Sequence, residues 1–345
     1  TMKKQSKLLA LLLACAMTLA LSACGGNSAT TSTPAGSAAP AASGSAAATG
    51  DKTYTVGICQ LVQHNALDAA TKGFKDALTE KLGDKVKFVE QNAAGDSATC
   101  ATICNQFVSS KVDLIMANAT PALQAATAAT NSIPILGTSV TDYGTALSIA
   151  DWKGTTGTNV TGTADLAPLD KQAEMIKTLF PDKKNVGILY CSAEPNSKYQ
   201  STEITKYLTD AGYTCKEYTF ADSNDVAAVT KTACDESDVL YVPTDNTAAS
   251  CAESINNIAE PAKVPIVAGE SGICTGCGVA TLSIDYYDLG VVTGNMAYEV
   301  LVNGADPATT EIQFAPKTTY QYMADRCEKL GVKVPSDYVA IEAEK

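Results

Sequence analysis

"VDLIMANATPALQAATAAT" (residues 112–130) begins as an apolar run ending at Ala117 and turns at Asn118-Ala119-Thr120-Pro121 into an alanine-rich helix. A helix start leaves backbone N–H groups without partners, so something must sit over it. "SDVLYVPTDNTAASCAES" (residues 237–254) repeats the design, with Pro243, Thr244, Asp245 and Asn246 between strand and helix. Two such turns in one chain predict one ligand held from two sides.

Working outward, short apolar runs alternate with amphipathic segments, the pattern of βα units around parallel sheets. Strands are expected over residues 54–59, 86–90, 112–117 and 133–137, and a second series over 185–190, 214–220, 239–242, 264–268 and 280–284. Helices are expected over 65–82, 97–109, 121–130, 168–179, 197–211, 226–234, 247–260 and 289–302. The stretch "VGICQLVQHNALDAATKGFKDALTEKLG" (56–83) matches "VGILYCSAEPNSKYQSTEITKYLTDAGY" (186–213) in strand, loop, helix and closing glycine. The architecture therefore occurs twice: an α/β chain of two Rossmann-like lobes with parallel sheets, joined by a hinge. The first lobe is assigned 53–160 with a return of 286–312, and the second 161–285 with 313–345.

Ahead of these lobes, Lys3, Lys4 and Lys7 precede an apolar segment, residues 8–21, too short and wrongly flanked to span a membrane. It reads as a secretion signal ending in "LSAC" (residues 21–24), which resembles a bacterial lipobox with Cys24 as the lipidated residue; residues 1–23 are then removed. Up to about residue 52 the chain is almost wholly Ala, Ser, Thr, Gly and Pro, too poor in large apolar side chains to order itself. Residues 24–52 are thus a flexible tether, and the folded body is expected at the outer face of the cytoplasmic membrane, or in the periplasm where two membranes exist.

The net charge of −12 argues against nucleic acid or anionic lipid as a partner, and loss of the leader leaves 22 basic residues against 37 acidic ones, a charge of −15. Of twelve cysteines, most beyond Cys24 fall where a core apolar residue would, and buried free thiols behave as small hydrophobes. Cys274 and Cys277 form the chain's single C-x-x-C, and the single histidine, His64, cannot complete a zinc site with it. No metal or other cofactor is called for. No Ser/His/Asp or Cys/His set assembles without His64 at its centre, and neither a Walker A loop nor a G-x-G-x-x-G fingerprint occurs, so an enzyme is not expected.

In open parallel sheets ligands lie beyond the carboxyl ends of the strands. The residues there are Gln63, His64, Thr120, Ser139, Asp142, Glu194, Asn196, Ser197, Thr244, Asp245, Asn246, Glu270 and Asp285. Asp142, Glu194, Asp245, Glu270 and Asp285 suit an ammonium group, while Thr120, Ser139, Ser197, Thr244 and adjacent amides suit a carboxylate. A zwitterion satisfies both. His64 is placed to stack on a ligand or gate the cleft.

At "VGICQLVQHNALDAATKGF", "NATPALQAA", "TSVTD", "NVTG", "YVPTDNT" and "SIDYYDLG" the chain resembles ABC-transporter substrate-binding proteins of the tryptophan/tyrosine type, from about residue 53 to 315. The resemblance implies a type I periplasmic-binding-protein fold, its lobes joined by three crossovers and closing on a ligand, and as partners an ABC permease with its ATPase. It departs from the family's usual first loop in carrying Gln63 and Asn65 where Glu and Pro are frequent. The expectation is a monomeric receptor, tethered through lipid on Cys24, for an aromatic or large apolar amino acid. A sugar or nucleoside receptor on the same fold, and a tethered sensor uncoupled from transport, stand as alternatives.

Overall fold

The computed structural model describes residues 52–342; the expected leader, Cys24 and nearly all of the tether lie outside the described residues. The first series comprises strands β1 (Tyr54–Gln60), β2 (Val86–Asn92), β3 (Leu114–Asn118), β4 (Ile135–Val140) and β5 (Val160–Ala164), with helices α1 (Asn65–Leu82), α2 (Ser97–Ser109), α3 (Thr120–Ala129) and α4 (Tyr143–Leu147) between them. After α5 (Leu169–Leu179) a second series follows: β6 (Asn185–Cys191), β7 (Thr214–Phe220), β8 (Val239–Val242), β9 (Ile266–Ala268) and β10 (Ala280–Ile284). Its helices are α6 (Pro195–Asp210), α7 (Val226–Glu236), α8 (Asn246–Ser250), α9 (Ala252–Ala262) and α10 (Ser271–Cys277). The chain closes with α11 (Tyr286–Val302), β11 (Gln313–Phe314), β12 (Thr318–Tyr322), α12 (Ala324–Leu330) and β13 (Val339–Ala340).

The two sheets order their strands alike: β2-β1-β3-β4-β5 with β11 at the edge, and β7-β6-β8-β9-β10 with β12 and β13 at the edge. In such a doubly wound sheet the strand order reverses beside the first strand, and a crevice opens at the carboxyl ends there. In these sheets the reversal lies between β1 and β3, and between β6 and β8. The two turns singled out in the sequence, after β3 and after β8, both sit at these reversals. β3, β4 and β8 are buried along their whole length, as central parallel strands covered on both faces must be.

Two lobe boundaries assigned from sequence are corrected by the pairing. Val160–Ala164 pairs as a whole with β4 in the first sheet, so residues 161–164 do not belong to the second lobe. Gln313–Phe314 pairs with β5, again in the first sheet. The chain therefore passes between lobes after Ala164, after Ile284 and after Phe314. The helix expected over 247–260 is two helices meeting at Cys251, and the C-x-x-C lies on α10, with both thiols buried in the second lobe's core. All ten described cysteines are free, eight of them buried.

Helix α11 returns to the first lobe because it docks on α1 at very close range. A Cβ built on Gly73 would lie 2.1 Å from the Tyr287 carbonyl oxygen, and one on Gly290 would lie 2.1 Å from that of Ala70. Only hydrogen fits at either point. Gly290→Ala is expected to lower stability by about 1–3 kcal/mol, since overpacked interfaces must move backbone to recover. The midpoint of chemical denaturation, compared with wild type, measures it; no change would mean that α1 and α11 stand further apart.

Candidate functional site

The first lobe's wall is built at the ends of β1, β3 and β4. Ala119 is fully buried with φ +94° and ψ 157°, a conformation that only glycine adopts readily, and Ser139 has φ +54°. These follow Asn118 and Thr138, which pair in register, so strain is concentrated on adjacent strand ends. Thr120 begins α3 and is buried, as is Ser139, whose Oγ has no partner. Behind them the Asn118 amide donates to the Leu67 carbonyl and Thr71 Oγ1, while Thr71 donates to Gln60 Oε1. This chain ties the start of α1 to the ends of β1 and β3.

The facing wall is more polar. Glu194 is buried and accepts from both the backbone and side-chain nitrogens of Asn246, both the backbone nitrogen and hydroxyl of Thr247, and the side chain of Asn196. It therefore holds the first residues of α8. Asp245 caps α8, accepting from Ala248 N, Ser197 Oγ and Cys191 N, each at 2.7 Å. Burial and the nearby Glu194 carboxylate push the Asp245 carboxyl up to about 8. Glu270 caps α10 through Gly272 and Ile273, and burial pushes it up to about 7. Asn196 donates to the Thr244 carbonyl, as does Gln200, leaving Asn196 Oδ1 buried and unpartnered.

Between the walls lies a small hollow lined by His64, Ala66 and Leu67 from the first lobe, by Thr244, Asp245, Asn246, Ala249 and Glu270 from the second, and by Asp165 and Tyr286 from two crossovers. Its enclosed space is only about 10 Å³, room for about one water. The lobes touch across it. His64 Nε2 lies 3.2 Å from Asn246 Oδ1, Gln200 Nε2 reaches Thr141 Oγ1 at 3.5 Å, and the Tyr286 hydroxyl donates to Asp165 Oδ2 at 2.9 Å. Burial pushes the Asp165 carboxyl up to about 6, and its Oδ1 has no partner. Asp165, Asp245 and Glu270 thus share one enclosure whose lining contains neither Lys nor Arg.

Cavities flank the hollow where the lobes separate. One of about 370 Å³ lies between Gln63, His64 and Asn65 on one side and Ala249, Glu253 and Thr275 on the other. Another of about 290 Å³ lies between Leu61, Val62 and Pro121 and the facing Cys191, Ala193, Glu194 and Asn246. The turns after β3 and β8 therefore face one cavity from opposite sides.

Of the residues expected from sequence, His64, Thr244, Asp245, Asn246 and Glu270 line the hollow. Thr120, Ser139, Glu194, Asn196 and Ser197 are buried in the turns that build its walls. Gln63 is exposed at the rim. Two carboxylates do not line the hollow. Asp142 caps α4 through Thr145 N beside an outer groove, and Asp285 is exposed, capping α11, where it borders with Lys317 a cavity of about 540 Å³ that shares Ala66 and Tyr286 with the hollow. Sequence reasoning missed Asp165 and Gln200. Asp165 obeys the same strand-end rule as the others, but the strand before it, Val160–Ala164, was not recognised.

Among the described residues no group of three His, Cys, Asp or Glu side chains is placed to hold a metal ion, and no helix is long and apolar enough to cross a membrane.

Two like-built lobes, meeting at their strand ends over an enclosed polar hollow, define a periplasmic-binding-protein architecture of type I. A family model for ABC transporter substrate-binding proteins matches residues 55–345, and the chain belongs to that family, whose members work outside the cytoplasm. It is 40% identical over 265 residues to a tyrosine-binding protein of Clostridioides difficile, covering 75% of this chain and 76% of that one. A Streptococcus pneumoniae protein in complex with L-Trp shares 33% identity and a TM-score of 0.80, over 84% of this chain and 100% of its own. The ligand-free, open structure of a Clostridium difficile substrate-binding protein with adhesive properties shares 36% identity but a TM-score of 0.65, over 85% of this chain and 100% of its own. The lower score against the ligand-free, open structure at similar identity accords with the contacts made here across the hollow.

Proposed function

We propose that this protein is the receptor of an ABC importer and captures an aromatic amino acid between its lobes. The observation that carries the reading is the set Asp165, Asp245 and Glu270, three buried carboxylates around one hollow with neither Lys nor Arg in its lining. Buried charges are costly unless paired, and a ligand ammonium supplies the missing partner. The ligand carboxylate is received by hydroxyls and amides at Thr120 and Ser139, where the strained backbone and the free Ser139 Oγ lie. The similarity to a tyrosine-binding protein and to an L-Trp complex supports the choice of an aromatic side chain.

The hollow is too small to admit such a ligand as it stands, so the lobes part for entry and settle around it. Each wall then supplies half of the contacts, and the ligand shifts the lobes further toward the closed arrangement. In this reading the protein is a monomer that catalyses nothing. It is held at the membrane by lipid on Cys24 and delivers its ligand to a permease driven by an ATPase.

A thermal melt of the folded body with added solutes tests this. L-Tyrosine or L-tryptophan at one hundred times its dissociation constant should stabilise by about 2.7 kcal/mol, and glucose or uridine at equal concentration should not. Stabilisation by glucose or uridine alone would overturn the reading.

A further inference from the structure

The single histidine of the chain does more than face the cleft. His64 precedes α1, caps no backbone group, and reaches over to Asn246 at 3.2 Å. The Asn246 amide cannot turn around, because its Nδ2 donates at 2.7 Å to Glu194 Oε2, and a carboxylate oxygen only accepts. Its Oδ1 therefore faces the imidazole. An acceptor there requires the hydrogen to be on Nε2, which leaves Nδ1 of the neutral ring as a bare acceptor. Burial favours the neutral ring, holding the imidazole below its usual range. Nδ1 is itself buried and has no partner. The hollow that His64 lines also carries the apolar side chains of Ala66, Leu67 and Ala249.

We infer that His64 Nδ1 is the acceptor for a hydrogen-bond donor on the ligand's ring, so that the receptor selects aromatic amino acids bearing a phenol O–H or indole N–H over L-phenylalanine. This rests on the reading of the hollow as an aromatic amino-acid site. A ring without a donor leaves the buried nitrogen unpartnered, and the site discriminates by that difference. The same side chain spans the cleft through Nε2, so it reads the ligand and joins the lobes with one ring.

Calorimetric titration of wild type, His64→Leu and His64→Gln with L-tyrosine, L-tryptophan and L-phenylalanine tests it, with melting temperatures checked for each variant. Wild type should bind the two donors about tenfold or more tighter than L-phenylalanine. His64→Leu should weaken all three while closing the gap to within about twofold, and His64→Gln, which offers one donor and one acceptor, should keep part of it. Nitrogen-15 spectra of the one imidazole should show the hydrogen on Nε2 before ligand is added, and a shift of Nδ1 with L-tyrosine but not with L-phenylalanine. A hydrogen on Nδ1, or an unchanged preference in His64→Leu, overturns the assignment while leaving the amino-acid reading standing. Binding of none of the three overturns both.

Discussion

Asp165→Asn should sharply weaken ligand capture while leaving the unliganded protein as stable as wild type, or more so. The carboxylate sits at a crossover between the lobes, buried, with one oxygen accepting from Tyr286 and the other without a partner. Asparagine keeps an acceptor for the Tyr286 hydroxyl and removes the charge. Losing one member of a buried ion pair costs about 2–5 kcal/mol of binding, so affinity for L-tyrosine or L-tryptophan should fall at least about thirtyfold. The free protein meanwhile loses a buried charge that nothing neutralises.

The pH dependence carries the same signature. The Asp165, Glu270 and Asp245 carboxyls sit at about 6, 7 and 8 in the folded chain, against about 4 when unfolded. The folded form therefore keeps protons that the unfolded chain gives up between about pH 4 and 8. These groups accordingly make the free protein more stable as pH falls through that window, and the contribution is lost as pH rises through the folded values. Ligand affinity should run the other way, because a protonated carboxyl no longer attracts an ammonium. Calorimetry at pH 8 and pH 5.5, with melts of the free protein in the same buffers, should show opposite slopes for wild type. Parallel slopes would show that these carboxylates are not where the ligand's charge goes.

Glu194 should behave in the opposite manner to Asp165. It is another buried carboxylate at the cleft, yet its oxygens are saturated by donors from Asn246, Thr247 and Asn196. Glu194→Ala leaves those donors unsatisfied and frees the start of α8, at a cost of about 3 kcal/mol or more. For a body of this size that lowers the melting temperature by roughly 5 °C or more. Ligand binding should weaken as well, since Asn246 loses the contact that orients it. Glu194→Gln should also destabilise, because an amide nitrogen would confront N–H groups where an acceptor stood. A melting temperature within a degree of wild type for both variants would remove Glu194 from this structural role.

The contrast between these two acids explains what was legible in the sequence. The period of the apolar runs located nearly every long helix and buried strand, and α1 and α2 match their expected bounds, because burial on one helix face leaves a repeating pattern. Strand β5 escaped because "VTGTA" carries one large apolar residue, its burial coming from neighbours on both sides rather than from its own side chains. Asp165 went unseen with it. The approach of α11 to α1 depends on where two distant glycines fall against carbonyl oxygens, and no local pattern records that.

The site was legible as a set of strand ends and illegible as chemistry. Asp142, Asp245, Glu270 and Asp285 look alike in sequence, each an acid before a short polar turn, and all four cap helices. Enclosure separates them: Asp245 and Glu270 are shut inside the hollow, whereas Asp285 is exposed and Asp142 half-buried on the outside. That distinction is set by how the two sheets face each other, which is a property of the assembled lobes and of no single segment.

The most direct measurement of the account compares two ligands that differ only in the group the hollow is built to receive. L-Tyrosine and its des-amino analogue, 3-(4-hydroxyphenyl)propionate, should be titrated calorimetrically into the wild-type protein at pH 8. The three carboxylates predict that the des-amino compound binds at least about a hundredfold more weakly, having lost the ammonium and kept a negative charge. Equal affinity for the two would contradict the assignment of Asp165, Asp245 and Glu270 as the ammonium site.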